Sequence, residues 1–120
     1  MGEAITVEVP RVVPRTLFSR RQWWRWTHSD RTLWRQAVRE ALAGAGIAPR
    51  AEVWRLARVR VEWGTQRPWL SEEGRERLFD EALAAIASAG VGVTTDLEPA
   101  VAETQSGYGR GTTWLELERV

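Results

Sequence analysis

Residues Ser71 to Gly90 constrain this chain more than any other stretch, because both ends and one face of a helix are written into them. Ser71 is a helix-capping residue type, since its hydroxyl accepts a backbone N–H that the first turn leaves unpaired. Glu72 and Glu73 suit the partially positive end beside it. Leu78, Phe79, Leu83, Ile86 and Ala87 recur at helical spacing as a stripe to be buried, and Gly90 supplies the stop. A helix with one apolar stripe needs a second layer to cover it, and the flanking sequence reads as strands.

Ile5, Val7 and Val9 alternate with Thr6 and Glu8, the period of a half-buried strand, which Pro10 ends. A loop from Arg11 to His28 comes next, punctuated by Pro14 and dense in Arg and Trp. Ser29 or Asp30 then caps a second helix, with Leu33, Trp34, Ala37, Val38, Ala41 and Leu42 as its stripe and Gly44, Gly46 and Pro49 as its stop. From Val53 to Trp63 the chain alternates again, with the Ala57 to Trp63 set as the better core face. After the Ser71 helix, Ala100 to Gln105 and Thr112 to Glu118 read as a hairpin joined by the glycine-rich SGYGRG, with Leu115 and Leu117 facing one way and Trp114, Glu116 and Glu118 the other. The expected order is β-α-β-α-β-β, an α+β domain spanning residues 1–120, with two helices packed on a mixed sheet and Leu33, Val38, Leu42, Val59, Val61, Leu78, Leu83, Ile86, Leu115 and Leu117 in one core.

Composition narrows the chemistry. The chain has 120 residues, enough for one core. No apolar run approaches the roughly 18 residues of a membrane span, and the N-terminal residues do not read as a secretory leader, so a cytoplasmic setting without membrane contact is expected. Cysteine is absent and His28 is the one histidine, which leaves no thiolate or imidazole metal site. His28 itself reads as a polar surface residue. The net charge of +1 hides an asymmetry, because residues 1–67 carry 13 Arg against six acids and residues 68–120 carry four Arg against ten. One half is suited to meet an anion, or the two halves face each other.

Among the eight tryptophans, Trp34, Trp63 and Trp54 fall on faces that should be core. Trp23, Trp24, Trp26 and Trp69 lie in loops beside arginines. There they suit stacking on exposed bases, with Arg20, Arg21 and Arg25 on phosphates. They equally suit anchoring a protein partner, since Trp and Arg dominate interface hot spots. Arg31, Arg35 and Arg39 form a basic ridge along one border of their helix, and Arg11 and Arg15 extend the basic run toward the N-terminus. On the Ser71 helix, Glu72, Glu76 and Asp80 share a ridge that Asp96 could approach from the following turn, which is the shape of a magnesium site built from carboxylates. The same acids are explained more simply by the helix dipole and by pairing with Arg75 and Arg77, Glu73 to Arg77 being an i,i+4 pair. SGYGRG sits between strands rather than before a helix, so it reads as a turn and not a phosphate loop.

Ala82-Leu83, Ala89-Gly90-Val91 and Asp96 carry a family resemblance, together with Pro14, Arg20, Trp23 and Trp34-Arg35 near the start and the glycine-rich turn near the end. In this order they resemble the RusA-type Holliday-junction resolvases, whose pattern is a D-x-D-N box, a Lys four residues on, D-A-L, A-G and an acidic pair. With Gly90 on the family glycine, the boxed acids fall on Gly74 and Glu76, the lysine on Asp80, the aspartate of D-A-L on Ala84 and the acidic pair on Thr94 and Thr95. The resemblance implies a RusA-like domain, a homodimer and a DNA ligand with branched or single-stranded character. The missing acids imply a nuclease site that no longer holds a metal. The expectation is therefore a nucleic-acid-binding protein without cofactor, with Arg11, Arg15, Arg20, Arg21, Arg25, Arg31, Arg35, Arg39, Trp23 and Trp24 as contact residues. Two alternatives stand beside it: a structural or interaction protein, such as a phage assembly component or inhibitor, using the Arg/Trp loop, and a magnesium-dependent endonuclease with Glu76, Asp80 and Asp96 as relocated ligands.

Overall fold

The alternating segments pair into one mixed sheet, and the two striped segments cover one face of it. The computed structural model describes residues 3–10, 28–63, 70–96, 100–105 and 111–120, the side chains of residues 28–31 and 63 excepted. In chain order the elements are β1 (Ala4–Val9), α1 (His28–Gly44), β2 (Val53–Trp63), α2 (Glu72–Ser88), β3 (Gly92–Thr95), β4 (Val101–Gln105) and β5 (Thr112–Arg119). The α+β class and the two helices on a mixed sheet are as expected from the sequence.

The sheet differs from expectation in its second half. β5 runs antiparallel between β1 and β2 and pairs with both. It therefore makes no hairpin with β4, which pairs parallel to β2. A further short strand, β3, pairs parallel to the first residues of β2. Since β5 occupies one edge of β2, β3 and β4 lie one after the other along the other edge and share a single position in the sheet. A four-residue strand is too short to show a period of its own, which is why it is not legible in the sequence.

β2 is also not one uninterrupted alternation. Leu56 stands opposite Leu117 while Arg58 stands opposite Glu116, so Ala57 is an extra residue, a β-bulge. The bulge switches the phase. Trp54 and Leu56 are buried before it, and Val59 and Val61 after it, whereas Val53 is 49% exposed. All four buried side chains thus join Val7, Val9, Leu115 and Leu117 on the helix-covered face.

α1 begins at His28, so Ser29 and Asp30 lie inside the helix rather than capping it, and His28 is a helical and not a loop residue. Its buried stripe is Trp34, Val38 and Leu42; Leu33, about 100° round the helix from Trp34, is 46% exposed and falls outside the core. The helix closes in a Schellman turn. Gly46 at φ +80° donates to the Ala43 carbonyl, and Ile47 donates to the Leu42 carbonyl and joins it in the core.

α2 matches its sequence signals closely. The Ser71 hydroxyl accepts the Gly74 N–H at 3.0 Å, Glu73 pairs with Arg77, and Leu78, Phe79, Ala82, Ala85 and Ile86 are buried. Leu83 is only partly buried and Ala87 exposed, because the stripe centres on Leu78, Ala82 and Ala85. Gly90 ends the helix at φ +82°, and a Cβ there would come within 3.2 Å of the Pro49 side chain. Gly90→Ala should therefore destabilise the protein by about 1–2 kcal/mol from the left-handed backbone alone, measured as a lower urea midpoint. No loss would mean that the turn relaxes without strain.

No helix among the described residues is long and apolar enough to cross a membrane.

Candidate nucleic-acid interface

Val9, Thr113, Val61 and Glu103 form one row across the sheet, each paired to the next. β1 ends in this row, β2 and β4 end two residues further on, and β5 begins one residue before Thr113. Pro10, Trp63, Gln105 and Gly111 are thus neighbours at a single end, the carboxyl end of the parallel strands. The N-terminus of α2 is held there too, since Leu70 donates its N–H to Glu103 Oε1 at 2.9 Å. The C-termini of both helices lie at the opposite end, where Arg50 N–H donates to the Gly90 carbonyl and Arg39 Nη2 lies 3.5 Å from the Ser88 carbonyl. Both helices accordingly direct their partially positive ends toward the carboxyl end of the sheet.

Three segments attach at this end: residues 11–27, 64–69 and 106–110. They lie outside the described residues, so Arg11, Arg15, Arg20, Arg21, Arg25, Trp23 and Trp24 are not placed individually. Their attachment points are. Together these segments contain seven arginines and no acid, with Trp23, Trp24, Trp26, Trp69 and Tyr108 among them. The described positions hold the other ten arginines and 15 of the 16 acids. The scaffold is therefore acidic overall, and the basic excess is confined to segments rooted at one end. Arg67 and Arg110 belong to this set, beside Trp69, and do not stand out in the sequence as part of it, because their membership depends on which strand ends are neighbours.

The basic ridge of α1 is less free than its spacing suggests. Arg35 is half-buried with its Nε enclosed and unpartnered, and Arg39 reaches over the C-terminus of α2. The ridge thus runs along the seam with α2; the Arg31 side chain lies outside the described residues.

Glu76 and Asp80 are exposed on α2. Asp96 is instead paired with Arg55, which lies on the open face of the sheet, opposite the helices. The three carboxylates are not brought together, and among the described residues no group of three or more metal-binding side chains exists. Gly74 is a buried residue of the α2 first turn.

The open face is a ladder of charge pairs. Arg55 bridges Asp96 and Glu118; Arg58 pairs with Glu116 through Nη2 at 3.1 Å, and Arg60 Nε lies 3.5 Å from the same carboxylate. The Arg60 guanidinium also sits 4.9 Å from the Trp114 ring centroid. These arginines are already neutralised, so the open face offers little to a polyanion. The bond from Arg58 holds the Glu116 carboxyl below its ordinary value of 4.5, with partial burial opposing and the charges of Arg58 and Arg60 adding. The same hydrogen bond raises Arg58, and the bond to Glu118 followed by the charge of Asp96 raises Arg55.

A depressed folded-state value stabilises above the unfolded value, and that stability is lost as pH falls through the folded one. Glu116→Gln should cost up to about 1 kcal/mol at neutral pH, the ceiling for an exposed pair. The gap to the parent should close as pH drops below about 4.5, tracked by urea denaturation across an acid series. A gap that persists in acid would mean that the substitution acts through packing.

At the far end of the sheet, Arg50, Glu52, Val53, Gly90 and Gly92 line a shallow open depression of about 390 Å³. It adjoins helix C-termini, the wrong dipole end for an anion. No family model and no curated protein matches the chain.

Proposed function

We propose that this chain is a RusA-like nucleic-acid-binding protein that takes branched or single-stranded DNA at the carboxyl end of its parallel strands. The observation that carries the reading is the rooting there of three segments holding seven arginines, four tryptophans and no acid, while the scaffold beneath is acidic. Arginine neutralises phosphates and tryptophan stacks on unpaired bases, and the carboxyl end of a parallel sheet is where such folds place ligands. The order of the Ala82-Leu83, Ala89-Gly90-Val91 and glycine-rich motifs supports the RusA-like assignment, and with it a homodimer in the cytoplasm. The Gly, Ala and Thr residues at most of the family's acid positions support a degenerate nuclease site.

Gel shifts with four-way junction, duplex and single-stranded DNA, each with and without Mg²⁺ or Mn²⁺, test this. Junction and single strand should shift at low salt and remain uncut. Metal-dependent nicking that disappears in Glu76→Ala or Asp80→Ala would restore the endonuclease reading. Absence of any shift, together with a tryptophan-dependent protein complex, would transfer the same residues to the interaction-protein reading.

A further inference from the structure

β1 is the outermost strand on its side of the sheet, and β5 occupies only one of its edges. The Arg119 N–H donates to the Glu3 carbonyl at 2.8 Å, one step beyond the Ala4–Glu118 pair. Hydrogen-bonded pairs alternate with non-bonded ones in an antiparallel ladder. Ile5, Val7 and Val9 therefore turn their backbone groups to β5, and Ala4, Thr6 and Glu8 turn theirs outward. All three are exposed, and among the described residues no strand pairs with that edge. Natural edge strands are usually blunted by proline, lysine or a bulge; β1 contains none of these. The helix above it leaves a second open border. α1 packs on β1, with Arg35 and Arg39 on the side of the seam with α2. Leu33 stands about 160° round the helix from Arg35, away from that seam, so it lies over the free edge. It is 46% exposed there, beside the partly buried Ala37 and Ile5.

We propose that β1 is the interface with a second copy of this chain: two β1 strands pair antiparallel about a two-fold axis at Thr6 and join two sheets into one. The residues select this register. Centred on Thr6, every outward N–H and C=O of Ala4, Thr6 and Glu8 finds a partner within β1 of the second copy. On the open face Thr6 meets Thr6 and Glu8 meets Ala4, so no like charges are opposed, and on the helix side Ile5 meets Val7. A slip of one pair would set Ala4 against Pro10, which has no N–H and lies beyond the strand. An isologous interface requires a surface that fits itself, and this edge does. The axis stands perpendicular to the sheet, so both helix layers lie on the same side. The two α1 helices then meet along their Leu33 and Ala37 borders, which covers the large apolar side chain that α1 leaves exposed. The inference deepens the homodimer of the reading above and rests on that part of it, not on the ligand. The two carboxyl ends point in opposite directions, so the dimer carries one candidate nucleic-acid interface at each end of the joined sheet.

Cross-linking tests the register directly, because the chain has no cysteine of its own. Thr6→Cys places two thiols opposite each other on the axis, at the roughly 5.5 Å Cα separation of a hydrogen-bonded pair, within disulfide reach. Mild oxidation of the full chain should convert it to a covalent dimer. Glu8→Cys should stay uncross-linked, since the two copies of that position lie four residues out of register, about 14 Å apart. Sedimentation equilibrium supplies the second readout. The parent should be a dimer, and Leu33→Arg, at a site exposed in the single copy, should raise its dissociation constant by at least about tenfold. Thr6→Pro removes an outward N–H that no strand uses in the single copy and should give a folded monomer by circular dichroism. Equal cross-linking of Thr6→Cys and Glu8→Cys, or dimers that Leu33→Arg and Thr6→Pro leave intact, would overturn this interface and leave the homodimer standing. A monomeric parent would overturn both, while gel shifts of that monomer would still decide the nucleic-acid reading on its own.

Discussion

Deleting Arg60 is expected to abolish cooperative folding, whereas deleting Ala57 three residues earlier leaves a folded protein. The contrast comes from the bulge. Ala57 stands opposite no residue of β5, so its loss turns β2 into a regular strand in which Trp54, Leu56, Val59 and Val61 remain on one face. Removing Arg60 reverses the phase of the rest of the strand. If the bulge persists, Val61 turns outward and Glu62 enters the core; if the bulge is ironed out instead, Val59 turns outward and Arg58 enters. Either route exposes a buried valine, worth about 1.5–3 kcal/mol, and buries an unpaired charge at several kcal/mol more. Set against a total stability of about 5–15 kcal/mol, that leaves little or no folded state. Far-UV circular dichroism and urea unfolding decide it. A cooperative transition in the Arg60 deletion, or its loss in the Ala57 deletion, would show that β2 tolerates a change of register and that the bulge is not what sets the phase.

The two deletions bear on what was legible in the sequence. Each half of β2 shows its own period, Trp54 and Leu56 in one phase and Val59 and Val61 in the other, but no local rule says that both halves face the core; only the partner strand reveals the skipped residue. Ser71, Glu73, Arg77 and Gly90 were legible because cap, pair and stop are interactions within one turn of α2. The edges of stripes were not: Leu33 and Ala87 lie one position beyond the buried arcs, and their exposure depends on where the neighbouring layer ends. The placement of β5 between β1 and β2 is likewise non-local, and a glycine-rich stretch before a strand looks the same whether its neighbours pair with each other or with a third strand.

The candidate interface divides along the same line. Its residue types were visible as an Arg/Trp-rich run with Trp69 beside it, yet Arg67 and Arg110 join that run only once Pro10, Trp63, Gln105 and Gly111 prove to be neighbours. Arg35 and Arg39, by contrast, look as available in sequence as Arg20 or Arg21, and packing draws them into the seam with α2.

Replacing Arg20, Arg21 and Arg25 together by Ala should weaken binding to single-stranded DNA most strongly at low salt and flatten its salt dependence. Each phosphate neutralised releases a condensed counterion, contributing about 0.7 to the slope of log affinity against log salt on a single strand. Loss of three such contacts should therefore lower the slope by roughly 2 units. Trp23→Ala is the control of opposite character. Removing a stacking platform should cost about 1–3 kcal/mol while leaving the slope in place, because stacking displaces few ions. The scaffold's own arginines supply the baseline: Arg55 and Arg58 are already paired with Asp96, Glu118 and Glu116, so Arg58→Ala should change neither affinity nor slope. Equal effects of the segment and scaffold substitutions would mean that the protein attracts DNA through diffuse charge, and the carboxyl-end interface would have to be abandoned.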